Sequence, residues 1–441
     1  MIKLLILFLC VIVLVSCNKY TNNEGCTKDE SGNEQCVKKD EYEDDDEDDE
    51  PVFYEIEEKM RTREPLFQWD PVKVGHVREV KMEDGSIKKI VTMALKPKIF
   101  VIDNFLTDEE CDHIIEKAKY FGLMNSGLHI DEKIKMSKIE TYGKAKSTFG
   151  DYKYWDLNMN GEITRNEVID LARRNLKLYI NETDVKTMFE ELGLHELDDG
   201  VITREEFASM NTGGITEYLK QLRETHPRFR DRFSEQIWLK QGNKSDVIMQ
   251  KLRRKVISLT NLPAYIVEGG EPLQVLNYQP FGHYHAHFDG QSDTEYPNYP
   301  CCHMDAESQP TNCRLCRFVT IVYYLNNVEE GGETAFPVAD KKDYDHDEFR
   351  KRKVEDFYNL SKFCHNASVV VKPKKGRAVM WYNHHMDKDG WLGAMDYYSL
   401  HGGCDIIKGT KWLANNWLTA PPAKYAYMDS LYYTGEAEGA Y

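Results

Sequence analysis

The segment "LQVLNYQPFGHYHAHFDG" occupies residues 273–290. Its opening "LQVLNY" is a short apolar run, and "FGHYHAHFDG" (281–290) puts His283, His285, His287 and Asp289 on alternate positions. Alternate residues of a strand share a face, so the spacing predicts four metal-capable side chains pointing one way. Residues two apart lie roughly 6.6 Å apart and can reach one ion, whereas residues four apart, at about 13 Å, cannot. A metal therefore takes one neighbouring pair from this strand and needs a third ligand from elsewhere.

Further apolar runs follow: "RFVTIVYYL", "SVVVKP", "RAVMWY" and "KWLANNWL". Many short strands separated by Gly-rich turns predict a β-barrel or jelly roll. Upstream, "VREVKMEDGSIKKIV" (77–91) reads as a hairpin, with Asp84-Gly85 supplying positive φ angles. "KIFVIDNF" (98–105) reads as a strand. "LTDEECDHIIEKAKYFG" reads as a helix opened by a Thr107–Glu110 capping box and closed by Gly122. From about residue 140 to 215 the pattern is helical, so the fold class is α+β.

Within that helical stretch, "DLNMNGEITRNE" (156–167) matches a twelve-residue EF-hand calcium loop. Asp156, Asn158 and Asn160 fill positions 1, 3 and 5, Glu162 offers its backbone carbonyl, and Glu167 is the bidentate acid. Gly161 makes the sharp turn. A second loop, "HELDDGVITREE" (195–206), keeps Asp199, Gly200 and Glu206 but has His195 and Leu197 at positions 1 and 3. Losing two oxygen ligands leaves it a weak or absent Ca2+ site and a structural partner to the first.

The net charge is −17, and the run "DEYEDDDEDDE" (40–50) reads as a solvated spacer. This acidic balance argues against nucleic acid as a partner. The N-terminus, "MIKLLILFLCVIVLVSCNKY", places one lysine before an apolar core of about fourteen residues, shorter than a bilayer span. It reads as a signal peptide, with a membrane anchor as the alternative. Entry into the secretory pathway agrees with four glycosylation sequons, at Asn181, Asn243, Asn359 and Asn366. Nine cysteines follow Cys17. Cys26 and Cys36 can close a small loop, "CCHMDAESQPTNCRLC" (301–316) is expected to hold a structural disulfide, and the odd count leaves a thiol free or intermolecular.

HxD alone decides nothing, because it occurs four times: His129/Asp131, His287/Asp289, His303/Asp305 and His385/Asp387. "YSLHGGCDIIKGTKWLANNW" (398–417) offers His401 and, ten residues on, Lys411 at the start of an alternating strand. His365 and Lys375 repeat that spacing, although Lys375 sits in the turn "KPKKG".

Together, "LQVLNYQPFGHYHAHFDG", "YYLNNVEEGGETAFP" and "DYYSLHGGCDIIKGTKWLANNW" resemble the prolyl 4-hydroxylases, which are iron(II)- and 2-oxoglutarate-dependent dioxygenases. The EF-hand insertion and "FLTDEEC" are similar to the transmembrane subgroup of the endoplasmic reticulum. The resemblance runs from about residue 75 to 420 and implies a double-stranded β-helix (jelly-roll) catalytic domain with flanking helices. It implies that His287, Asp289 and His401 bind Fe2+ and that Lys411 binds the distal carboxylate of 2-oxoglutarate. Tyr278 contacts that co-substrate by the same mapping, and Tyr284, Thr334 and Trp417 line the pocket. A 2-His-1-carboxylate triad leaves three iron positions open for the keto acid and O2. L-ascorbate is the implied reductant, and the implied substrate is proline in a hypoxia-inducible-factor-type peptide or, alternatively, a collagen-like one. His283 and His285 are read as polar strand residues beside the site. Two other readings compete: a catalytically inactive calcium-binding lumen protein on this fold, and a cupin-like protein using His285 and His287 as an HxH pair.

The expected division is 1–17 signal peptide or signal anchor, 18–74 acidic flexible segment, and 75–140 N-terminal strand/helix part of the catalytic region. The EF-hand pair follows at 141–215, the dioxygenase domain at 216–425 and a tail at 426–441. The expected location is the endoplasmic reticulum lumen or membrane, or secretion.

Overall fold

After residue 270 eight strands pass to and fro between two antiparallel sheets, with one pair of consecutive strands in the same sheet. They are β1 (Leu273–Tyr278), β2 (His283–His287), β3 (Arg317–Tyr324), β4 (Thr334–Phe336), β5 (Val369–Val371), β6 (Ala378–Tyr382), β7 (His401–Gly403) and β8 (Lys411–Thr419). One sheet runs β6-β3-β8-β1 and the other β5-β4-β7-β2. This alternation is a jelly roll, a double-stranded β-helix. In the computed structural model the described residues are 26–28, 34–36, 65–126, 148–241, 245–297, 299, 301–302, 314–352 and 357–420.

Period-two alternation gives the larger sheet two different faces. Tyr278, Val322, Tyr324 and Leu413 face inward and share a core with Phe336 and Val371 of the smaller sheet. Phe318, Ile321, Tyr323 and Ala414 face outward. That outer face is covered by the helices Asp108–Phe121 and Val247–Thr260, through Cys111, Ile114, Ala118, Met249, Leu252, Val256 and Leu259. Each such large apolar side chain contributes about 1.5–3 kcal/mol by leaving water. The capping box of the first helix is present: Thr107 Oγ1 accepts from Glu110 N at 3.2 Å, and Thr107 N donates to Glu110 Oε2 at 2.9 Å.

The larger sheet is extended beyond β6 by Ile99–Ile102 and the hairpin Val77–Lys81/Ile87–Ala94. Its turn differs from the expectation. Only Gly85 has a positive φ, +81°, because Asp84 instead accepts Ser86 N at 2.9 Å in an Asx-type turn. The flexible segment expected at 18–74 also ends early. Leu66 is buried, and Trp69 Nε1 donates to Leu259 O at 2.8 Å, so residues 66–69 pack on the catalytic body, while Val72 and Val74 are exposed.

The helical stretch builds a core of its own from Trp155, Val168, Leu171, Val185, Met188, Ile202, Ile215 and Leu219. Its helices are Arg165–Leu176, Glu182–Leu192, Arg204–Ser209 and Thr212–Thr225. Two expectations are corrected here. Residues 148–154 form short 3-10 turns rather than a full helix, and the unit continues past 215 because Leu219 and Phe229 belong to its core.

Disulfides join Cys301 to Cys316 and Cys364 to Cys404, and Cys111 is a buried free thiol among the described residues. Cys316 of the CxxC pairs outside its motif. Met1–Asp49 is a separate unit in which Cys26 stands opposite Cys36 in a short antiparallel pair. The apolar N-terminus, the acidic run, Asn243 and the tail lie outside the described residues. Among those residues no helix is long and apolar enough to cross a membrane.

Candidate active site

The four alternating side chains do not share a face. Register shifts between Tyr284 and His287 where β2 pairs with β7. Such a bulge adds a residue and inverts the alternation beyond it. Tyr284 therefore stacks on His287 at 3.7 Å between ring centroids, while His283 faces His285 at 4.5 Å on the opposite side. His283 is buried between Phe281 O at 2.9 Å and Arg230 O at 2.8 Å. His285 Nδ1 accepts from Leu360 N at 3.2 Å, so its ring is committed away from His287 and an HxH metal pair is excluded.

His287 and His401 are register partners on β2 and β7, and Asp289 stands just beyond the end of β2. His287 Nε2 lies 3.5 Å from Asp289 Oδ1, and His401 Nε2 lies 3.4 Å from Oδ2. One ligand atom of each residue falls within 4.8 Å of the other two. Each histidine turns Nδ1 to a carbonyl: His287 to His285 O at 2.9 Å and His401 to Ser399 O at 2.8 Å. These bonds place the proton on Nδ1 and leave both Nε2 lone pairs aimed at the common point. Asp289 Oδ2 accepts from Thr320 Oγ1 at 2.8 Å and from Trp417 Nε1 at 2.9 Å. Burial alone would raise the Asp289 carboxyl; His401 and the bond to His287 outweigh it and hold the group well below the usual carboxylate range. Burial pushes His401 down to about 4, so its ring is neutral at pH 7 and free to ligate. Two imidazoles and one carboxylate on a single focus fit divalent iron.

Lys411 opens β8 opposite Tyr278. It is only 2 % exposed, with Nζ 5.4 Å from the Tyr278 ring centroid and 5.5 Å from that of Tyr324. No carboxylate lies within ion-pair distance among the described residues, and burial lowers its amine to about 7 against a partial pull upward from Glu333. A buried cation with aromatic walls and no anion fits a carboxylate ligand. Thr334 stands opposite Gly403, and its hydroxyl accepts from Tyr324 at 2.6 Å. Beside it Gly332 has φ +73°, and a Cβ there would meet Ile406 at 2.6 Å and the Lys411 stem at 3.2 Å. A side chain at position 332 would be strained by the positive φ and would crowd Ile406 and the Lys411 stem.

The rival assignments come apart in space. His365 is exposed, and Lys375 is paired with Asp112 at 2.6 Å. His385 is exposed; the other two HxD pairs lie outside the described residues. Sequence reading missed Thr320, Asn383 and Arg317. Asn383 Nδ2 donates to Thr320 Oγ1 at 2.8 Å, and the Arg317 guanidinium lies 3.7 Å from the Trp417 ring centroid while bonding Glu271. The available signal was one hydroxyl, Thr320, inside the apolar run "RFVTIVYYL" and in phase with Tyr324. Trp417 donates to the Asp289 carboxylate rather than merely lining a pocket.

In the helical unit Asp156 and Glu167 are buried at the ends of the first loop. Asp156 accepts from Asn160 N at 3.0 Å and Gly161 N at 2.9 Å, and Glu167 Oε1 accepts from Leu157 N at 2.9 Å. Asn158 Oδ1 accepts from Asn160 N, and Asn160 Oδ1 from Glu162 N. The two loops pair as a short ladder, Ile163 opposite Ile202. In the second, Asp199 accepts from Val201 N, Glu206 caps Thr203, and His195 is exposed beside Asp198. Of the sequons, Asn366 is exposed, Asn181 caps a helix and Asn359 is half-buried.

Residues 273–419, the span of β1–β8, match the 2OG-Fe(II) oxygenase superfamily. The chain is 37% identical over 369 residues to transmembrane prolyl 4-hydroxylase of Homo sapiens, covering 82% of this chain and 71% of that protein. The Mus musculus protein of the same name is 37% identical over 366 residues, with the same coverage. Prolyl 4-hydroxylase 2 of Arabidopsis thaliana is 34% identical over 173 residues, 39% of this chain and 48% of that protein. At this identity and coverage, the chain belongs to the prolyl 4-hydroxylase family of iron(II)- and 2-oxoglutarate-dependent oxygenases.

Proposed function

We propose that this chain hydroxylates proline in a peptide or protein, with iron bound by His287, Asp289 and His401 and with 2-oxoglutarate anchored by Lys411. The convergence of the two Nε2 atoms and the Asp289 carboxylate, all within 4.8 Å of one another, carries the reading. Iron held there supplies the redox chemistry that couples decarboxylation of 2-oxoglutarate by O2 to oxygenation of the proline, leaving succinate and CO2. The protein's own part is preorganisation. The carbonyls of His285 and Ser399 orient the two imidazoles, and Thr320 and Trp417 hold the carboxylate. Lys411 fixes the far end of the keto acid between Tyr278 and Thr334, and Tyr284 closes one side by stacking on His287.

Purified protein supplied with iron, L-ascorbate and 2-oxoglutarate should release succinate in step with hydroxyproline in a proline-containing peptide. Competition between a hypoxia-inducible-factor-type peptide and a collagen-like peptide identifies the substrate. No decarboxylation under any of these conditions would refute the enzyme reading and favour a calcium-binding protein without catalysis.

The loop Asp156–Glu167 is proposed to bind Ca2+ and its partner to bind weakly or not at all. The buried end carboxylates and the Ile163–Ile202 ladder support this. The endoplasmic reticulum is the proposed location, supported by the apolar N-terminus, the sequons and the two disulfides. Glycosidase treatment of protein expressed through the secretory pathway should raise its mobility; an unshifted cytosolic protein would refute that location.

A further inference from the structure

We infer that Tyr179, in the link between the two loops of the helical unit, is a positioning residue for the metal-facing His287 and acts through His285. This rests on the reading of His287 as a metal ligand. Tyr179 lies between the helices Arg165–Leu176 and Glu182–Leu192. Its neighbours Leu178 and Ile180 are both buried in the helical core. Their side chains point one way along an extended link, so that of Tyr179 points the other way, out of the helical unit. There its ring meets the His285 ring, with centroids 3.9 Å apart.

The contact belongs to a layered ribbon. Leu178 bridges Arg230, and Tyr179 N donates to Phe229 O at 2.7 Å. Arg232–Phe233 pairs in turn with His283–Tyr284, and His285 N donates to Asp231 O at 2.9 Å. On its far side His285 is held by Leu360 N on Nδ1, and the next residue, Ala286, donates to Tyr358 O at 3.0 Å. The His285 carbonyl is the group that accepts from His287 Nδ1. Tyr179 thus packs, together with His283, on the ring of the residue whose carbonyl sets the orientation of a metal-facing imidazole. Groups that orient a ligand from behind typically govern metal affinity about 10–100-fold.

The test is cobalt(II) affinity of the purified full chain, read from the visible absorption of the bound ion without turnover. Tyr179→Ala should weaken binding about tenfold, while Tyr179→Phe, which keeps the ring, should stay within about twofold of the parent. The kcat should fall with the Ala variant and the KM for 2-oxoglutarate should not change. Unchanged cobalt affinity in Tyr179→Ala would overturn the inference, and so would equal losses in the Ala and Phe variants. Leu178→Ala loosens the helical core without removing the ring; a loss equal to that of Tyr179→Ala would also overturn it. If Tyr179→Ala does not fold, Tyr179→Leu fills the space without an aromatic face and is held to the same criteria. His287→Ala separates the two readings: normal cobalt binding there would remove the metal assignment itself, whereas lost binding with an indifferent Tyr179 would remove only the brace.

Discussion

The molecule carries two sites suited to cations, and they are built in opposite ways. The jelly-roll site draws its donors from segments more than a hundred residues apart, His287 and Asp289 on one side and His401 on the other. Each donor is already aimed by a second bond, from a carbonyl, a hydroxyl or an indole. The loop Asp156–Glu167 draws all its oxygens from twelve consecutive residues, and those oxygens accept backbone N–H groups of the loop itself. One site is rigid because the barrel holds it. The other takes its shape from local turn chemistry within twelve residues.

The largest expected effect tests the rigid site. His287→Ala, Asp289→Ala and His401→Ala should each reduce hydroxylation to background, whereas His365→Ala should leave it intact. Activity surviving in His401→Ala would show that the distal ligand lies elsewhere. The counterpart in the loop is a calcium titration by calorimetry. It should show one dominant site, with Kd on the order of 10⁻⁵–10⁻⁴ M because only two ligands are charged. That site should vanish in Glu167→Ala and persist in Glu206→Ala. Two equal sites would erase the asymmetry between the loops.

Lys411 gives the jelly-roll site a pH signature that the loop lacks. Its amine titrates at about 7 without an anion, and a bound carboxylate raises that value. Below pH 7 the charge is already present and this group adds no slope. Above it, binding must take up a proton, so affinity for 2-oxoglutarate should fall by up to about tenfold per pH unit. Lys411→Arg should flatten that slope, and Lys411→Ala should chiefly raise the KM for 2-oxoglutarate. A pH-independent affinity in the parent protein would contradict the buried, unpaired lysine. The smallest effect belongs to a supporting bond: Thr320→Val should weaken metal binding about tenfold without unfolding the barrel, since Thr320 acts only through Asp289 Oδ2. A cobalt titration identical to that of the parent would mean that Trp417 alone suffices.

Much of what depends on residues close in sequence could be read from the sequence itself, the Asp84-Gly85 turn being an exception. The capping box at Thr107–Glu110, the loop Asp156–Glu167 and the strand runs after 270 are local patterns, set by backbone geometry within a few residues. The residues proposed for metal and co-substrate were picked out only through family resemblance, since HxD and His-x9-Lys each recur in the chain. Tertiary structure decided the rest. A bulge between Tyr284 and His287 reversed the predicted common face, because alternation fails wherever one extra residue enters a ladder. Thr320, Trp417 and Tyr179 meet partners 31, 128 and 106 positions away along the chain. The Cys364–Cys404 pairing and the burial of Lys411 likewise depend on which strands the barrel brings together. No local pattern encodes such contacts, because side chains distant in sequence meet only after the sheets have closed.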